Sequence, residues 1–232
     1  MALLREGIVV LFGGWDGTQE LNDTWIFYQS TKTWATLTTQ APPPRDSHAM
    51  ASLGTGKVVL FGGFDGSQLL GDTWVFNQST TGWALIEAST NTKAPSPRAD
   101  HHMTSLGAGK VALFGGWEYS QQHLFDTWEF DQNNKHWTQL YHPQPTIKSP
   151  QAREFHEMAP LEGGKLLMFG GYDDGHFFRD AWVFDPFMVD WALVDNPPTP
   201  KLLTARAQFA MASLGKGNVV LFGGWAQNGH LV

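Results

Sequence analysis

A diglycine preceded by an apolar run occurs five times in this chain, at Gly13-Gly14, Gly62-Gly63, Gly115-Gly116, Gly170-Gly171 and Gly223-Gly224. Successive pairs lie 49, 53, 55 and 53 residues apart. A period near fifty means one supersecondary unit copied along the length of the chain. Residues that recur with the period serve the unit; residues that break it are the better candidates for a ligand.

Each copy divides into four pieces. The first opens at Arg45, Arg98, Arg153 or Arg206, and three residues on stands His48, His101 or His156, with Phe209 in the last copy. Met50, Met103, Met158 and Met211 follow at five residues from the arginine. A tight link such as Gly54-Thr55-Gly56 suits a hairpin into the second piece. That piece is apolar throughout, as in Val58-Val59-Leu60-Phe61, and predicts a strand buried on both faces. The diglycine ends it. The third piece begins at Asp23, Asp72, Asp126 or Asp180, two residues before a tryptophan, and the fourth carries Trp34, Trp83, Trp137 or Trp191. Four short strands per copy, each copy wedged between its neighbours, describe the blade of a β-propeller. No segment carries a 3.6-residue apolar stripe, which excludes a helical solenoid.

The order Arg-x-x-His, apolar strand, Gly-Gly, aromatic and then two tryptophans resembles the kelch repeat, with Trp in the third strand where that family usually has Tyr. The resemblance covers almost the whole chain. It implies an all-β, kelch-type β-propeller of four blades plus a half-blade, with repeats over residues 1–44, 45–97, 98–152 and 153–205 and a partial one over 206–232. It implies no single activity. Met1-Ala2-Leu3-Leu4 aligns with Met211-Ala212-Ser213-Leu214, so both ends offer the same second strand and duplicate rather than complement each other. The expectation is a fragment of a larger propeller, or a homo-oligomer completed through the incomplete blade, ahead of a small closed ring.

Composition narrows the partners. A formal charge of −7 with no basic stripe argues against nucleic acid and anionic membranes. No apolar stretch approaches the roughly 18 residues needed to span a bilayer, and the start is too soon charged for a secretory signal, so a cytoplasmic location is expected. Cysteine is absent, which removes disulfides, thiolate catalysis and Cys-ligated zinc. The Gly-Lys pairs at Gly56-Lys57, Gly109-Lys110 and Gly164-Lys165 lack the Ser or Thr of a phosphate loop and open strands. Neither a cofactor nor a metal is expected.

The long connections are those between second and third strands and those between blades, over residues 41–44, 90–97, 142–150 and 196–204. In an up-and-down blade both sets emerge on one face, and variable loops on a rigid scaffold carry binding. The candidate ligand residues on that face fall into three groups. The aromatics after the diglycines, Trp15, Phe64, Trp117, Tyr172 and Trp225, would ring it or else pack between blades. Arg45, Arg98, Arg153 and Arg206 would hold an anion at the channel mouth or else tie blades together through Asp23, Asp72, Asp126 and Asp180. The residues that differ between copies weigh most: Glu20, Glu118, Tyr119, His123, Asp174, His176 and Arg179. His48, His101 and His156 read as hydrogen-bonded core histidines.

The sequence thus points to a non-catalytic scaffold that recognises a protein or a glycan through its long-loop face. Two alternatives stand beside it. One is a carbohydrate-active enzyme resembling kelch-type sugar mutarotases, with acid and base among Glu118, His123, Asp174 and His176. The other is a self-assembling structural unit with no further ligand.

Overall fold

The apolar second pieces become the central strands of antiparallel sheets in the computed structural model, which describes residues 1–87, 93–120, 122–140, 149–194, 203–227 and 229–230. The first sheet is β1 (Ala2–Arg5), β2 (Ile8–Trp15), β3 (Glu20–Tyr28) and β4 (Thr33–Leu37). The second is β5 (Ala49–Gly54), β6 (Lys57–Phe61), β7 (Thr73–Asn77) and β8 (Gly82–Ile86). The third sheet starts with β9 (His102–Gly107) and β10 (Lys110–Phe114). A small hairpin of β11 (Trp117–Glu118) and β12 (Gln122–His123) follows, before β13 (Thr127–Asp131) and β14 (His136–Leu140) complete the sheet.

The fourth repeats this plan with β15 (Glu157–Pro160) and β16 (Leu166–Phe169), the hairpin β17 (Tyr172–Asp173) and β18 (His176–Phe177), then β19 (Ala181–Asp185) and β20 (Asp190–Leu193). Last come β21 (Ala210–Gly215) and β22 (Asn218–Phe222), with the hairpin β23 (Trp225–Ala226) and β24 (Gly229–His230). Strand order in every sheet follows chain order.

Both faces of the central strands are used, as the unbroken apolar runs require. Val10, Phe12 and Ile26 of the first sheet pack on Met50, Val58, Leu60, Trp74 and Phe76 of the second. The opposite face of the second, through Leu53, Val59 and Phe61, packs on Met103, Val111, Leu113 and Trp128 of the third. Ala112 and Phe114 of the third meet Met158, Met168 and Phe184 of the fourth. One polar bond recurs in these interfaces. The indole N–H of Trp83 donates to Thr24 Oγ1 (3.0 Å), that of Trp137 to Thr73 Oγ1 (2.9 Å) and that of Trp191 to Thr127 Oγ1 (3.1 Å), each from a fourth strand to the preceding sheet.

The first strands β1, β5, β9, β15 and β21 stand side by side in order. They line one channel of about 400 Å³, into which Met1, Met50, Met103, Met158 and Met211 contribute. The sheets therefore stand radially about an axis, in an all-β propeller architecture. Much of the proline-rich connections named above falls on residues 90–92, 142–148 and 196–202, outside the described residues. Among the described residues no helix is long and apolar enough to cross a membrane.

Candidate functional site

The segment from the arginine to the histidine builds one mouth of the channel. Its backbone belongs to one sheet and its arginine side chain to the next. Arg98 N–H donates to Leu70 O (3.2 Å) and Arg98 O accepts from Gly63 N–H (2.9 Å), both on the second sheet. The guanidinium crosses to the third sheet, where it donates to Asp126 Oδ1 and Oδ2 (2.6 and 2.8 Å) and to Gly115 O (3.0 Å). Arg45 with Asp72 and Arg153 with Asp180 repeat the pattern. These three arginines are fully buried and their donors are engaged, so they tie sheets together and present no charge to a ligand.

Arg206 reaches Gly223 O and Thr204 Oγ1 and meets no carboxylate among the described residues. Asp23, which the spacing puts in the same series, accepts among the described residues only from the Trp25 indole, and its buried Oδ1 has no partner there. Burial acting alone would push Asp72, Asp126 and Asp180 up. The bonds and charge from their arginines, with an indole N–H, hold all three below the usual carboxylate range.

The diglycine is what lets this segment approach. A Cβ on Gly62 would lie 2.6 Å from Arg98 O, at a backbone φ of 68°. The adjacent histidine ring fills the space beside it. His101 and His156 are buried against Phe61 and Phe114, and burial lowers their pKa values well below the ordinary imidazole range. They are core residues as expected. Of the expected hydrogen bonds, His156 makes none among the described residues, while His48 and His101 have the backbone of Phe12 and Phe61 as their partners at most.

Between arginine and histidine lie two positions that vary. The second of them, Ser47, Asp100, Phe155 or Gln208, is left-handed, with φ between 52° and 57°. Each donates its N–H to the previous one's carbonyl: Asp100 to Ser47 (3.0 Å), Phe155 to Asp100 (3.0 Å) and Gln208 to Phe155 (3.1 Å). This backbone collar frames a mouth of about 390 Å³ lined also by His102 and Glu157, whose Nε2 and Oε2 are 3.1 Å apart. Burial pushes the Asp100 carboxyl up to about 7 against a bond from Ser47, helped by the nearby charges of Glu154 and Asp46. Burial likewise raises Asp46, with Glu20 adding to it, and raises Glu154 against the opposing charge of His123.

The first variable position joins this collar to the loops. Asp46, Ala99, Glu154 and Ala207 pair through the backbone with Phe64, Trp117, Tyr172 and Trp225. Those aromatics therefore stand beside the mouth, half-buried except for Trp225, which is 45% exposed; Trp15 is 54% exposed and pairs with Glu20. Neighbouring loops touch. Tyr119 Oη donates to Ser67 O (2.9 Å), and the ring of Phe177 meets that of Trp225 at 5.4 Å. His123 lies 3.6 Å from Glu154 and 3.9 Å from Asp174. His176, at 3.7 Å from Asp173, and Arg179 are exposed on the same rim.

Glu118 and His123 were candidates for an acid–base pair. In the hairpin Trp117 opposes His123 and Glu118 opposes Gln122, so the two candidates project from opposite faces. His123 is instead placed with Glu154 and Asp174. Glu154, Asp46, Ser47, Asp100 and Gln208 went unremarked in the sequence, although variation inside a fixed Arg-x-x-His frame was the signal that could have found them. Among the described residues no group of three histidines or acids is arranged to hold a metal ion.

The sequence model of the KLHDC2/KLHL20/DRC7 Kelch-repeats domain matches residues 1–224. Kelch domain-containing protein 2 of Bos taurus is 30% identical over 140 residues, covering 60% of this chain and 32% of that protein. An F-box/kelch-repeat protein of Arabidopsis thaliana is 30% identical over 197 residues, covering 76% of this chain and 41% of the relative. The flagellar outer arm dynein alpha chain of Chlamydomonas reinhardtii is 28% identical over 148 residues, 60% of this chain and 3% of the dynein. In each case the match spans less than half of the relative's length.

Proposed function

This chain belongs to the kelch-repeat family, and from that premise we propose that it is a non-catalytic platform holding a protein partner over the channel mouth and the rim of loops around it. The observation that carries this reading is the division of labour within the repeat. Buried Arg–Asp pairs and Trp–Thr bonds occupy the repeated polar residues, while the copy-specific ones are gathered beside the collar. A rigid frame with variable side chains at one end is the arrangement of a recognition surface.

The chemistry of that end is acidic. Glu20, Asp46, Asp100, Glu154 and Asp174 crowd it: burial raises the carboxyls of Asp46, Asp100 and Glu154, and the charge of Glu20 adds to it at Asp46, those of Glu154 and Asp46 at Asp100, and that of Asp174 at Glu154. A partner segment carrying lysine or arginine relieves that repulsion, while Trp117, Tyr172 and Trp225 supply stacking area for the same cation. Binding of a cation by a partly protonated carboxyl releases a proton, so affinity rises with pH between about 6 and 8. The test is a peptide array probed with the whole chain. Selected peptides should be basic, and Asp100→Asn combined with Glu154→Gln should weaken them by about tenfold. Acidic or neutral selections, or full binding by the double variant, would overturn the reading. Of the four residues of the mutarotase alternative, Glu118 and His123 project from opposite faces, while His123 lies 3.9 Å from Asp174.

A second reading, self-association, has its own observation. Met1 (78% exposed) and Trp34 (46%) stand on the outer face of the first sheet; their counterparts Met50 and Trp83 are buried. Leu214 and Phe222 (70% and 72% exposed) occupy the outer face of β21–β22, where Leu53 and Phe61 are buried in the second sheet. The two uncovered faces repeat the two halves of each internal interface, so a second copy of the chain fits between them head to tail.

A further inference from the structure

Lys57 is a cation without a carboxylate. In the third sheet the matching Lys110 has its Nζ 2.8 Å from Glu129 and 3.8 Å from Asp131. In the fourth, Lys165 lies 3.0 Å from Asp185. The first sheet avoids the charge altogether, with Ile8 opposite Tyr28 and Ile26 on the same face. Only the second sheet sets a lysine against Val75 and Asn77, neither of which neutralises it, and Lys57 forms no ion pair among the described residues.

The same substitutions open space. Val75 and Asn77 are smaller than the Ile26 and Tyr28 that stand there in the first sheet, and a groove of about 520 Å³ lies at this corner of the second and third sheets. Val75, Ala84 and Ile86 give its lining an apolar stripe, with Ala84 exposed, and Lys57, Lys135 and Gln132 line it as well. Gln132 Oε1 is buried there and has no hydrogen-bond partner among the described residues. The turns beside it are the tight β5–β6, β7–β8 and β13–β14 connections, marked by Gln78 N–H bonding Gly56 O and Gln132 N–H bonding Gly109 O. The lysine end of the groove therefore lies away from the diglycines, while Ile86, opposite Thr73, runs back along the sheet toward them, and the groove shares no lining residue with the mouth.

We propose that this groove is a second site, for a medium-chain carboxylate with a hydroxyl close to its head group. The carboxylate is drawn to the ammonium groups of Lys57 and Lys135, the only charges on the lining and without an ion pair among the described residues. The alkyl chain lies on Val75, Ala84 and Ile86. The hydroxyl donates to Gln132 Oε1, which gives that buried acceptor the donor it lacks.

Isothermal titration of the whole chain with β-hydroxydecanoate below its micelle concentration tests this. One saturable site is expected, weakened by about tenfold in the Lys57→Gln, Lys135→Gln variant. Decanol, with the same chain and no charge, should bind at least about tenfold more weakly, and decanoate should fall between them. The variant Ala84→Trp, which blocks the apolar stripe, should lose the site while keeping the wild-type circular dichroism spectrum. A Lys57→Arg, Lys135→Arg variant keeps both charges and should retain binding even if the glutamine variant folds poorly. Equal affinity for decanol, absence of saturable binding, or undiminished binding by folded Ala84→Trp would each overturn the proposal. None of these outcomes bears on the mouth, whose lining shares no residue with the groove.

Discussion

The guanidinium of Arg98 and the carboxylate of Asp126, 28 residues apart in sequence, meet through two hydrogen bonds of 2.6 and 2.8 Å with the arginine side chain 1% exposed. Because Arg98 is held by its own backbone on the second sheet, this pair clamps the second sheet to the third. Asp126→Asn strands a buried guanidinium and should cost about 3–5 kcal/mol in urea unfolding. Asp23→Asn touches no arginine and should cost less than about 1 kcal/mol. Comparable losses in both would show that the pairing is not what the carboxylate contributes.

The same pairs set the acid limit. A carboxyl held below its ordinary value in the fold stabilises it above the unfolded value of 3.8, and the contribution is lost as pH falls through the folded value. Asp72, Asp126 and Asp180 share this sign. Wild type should lose stability steeply below about pH 4, and Asp126→Asn should lose less over that interval. Thermal melts across pH 2.5 to 5 measure the two slopes.

Asp100 works in the opposite direction. Its folded carboxyl titrates at about 7 against an unfolded 3.8, so the fold holds this proton more tightly. Stability should decline as pH rises between those two values and level off above. Asp100→Asn should flatten that decline, melting higher than wild type at pH 8 and close to it at pH 4. A melt of the variant that still falls across the interval would assign the decline to another group.

The indole bonds separate in the same manner. Trp83→Phe removes the donor to Thr24, a residue 2% exposed, and leaves its hydroxyl without that partner, which should cost about 1–3 kcal/mol. Trp34→Phe changes a side chain that is half in water and has no such threonine, and should be nearly neutral. Chemical denaturation of the two variants makes the comparison.

Self-association through the uncovered faces is checked by light scattering across concentration. Mass should grow with concentration, and Phe222→Glu should return the chain to a monomer, since the charge falls where an apolar face is required. A constant monomer mass at high concentration would remove that reading.

The Arg–Asp spacing of 27 or 28 residues, the two tryptophans and the apolar runs were all legible, because each recurs and each answers to a demand repeated at every interface. What stayed hidden depended on local geometry that residue type does not announce. Phe155 and Gln208 give no cue to a left-handed backbone, yet they adopt it in step with Ser47 and Asp100. The β11–β12 register separates Glu118 from His123, and a one-residue shift would have joined them. Lys57 looked like its counterparts Lys110 and Lys165 until the cross-strand neighbours were known.

The collar has one more consequence. Its repeating links are main-chain bonds, so apart from the Ser47–Asp100 side-chain bond the side chains at 47, 100, 155 and 208 are not what joins the sheets. Those four places behave as sockets in a fixed ring. Mutation at 155 and 208 rewrites what the opening welcomes while leaving those main-chain links in place, which makes these two the natural positions at which to randomise this chain toward new targets.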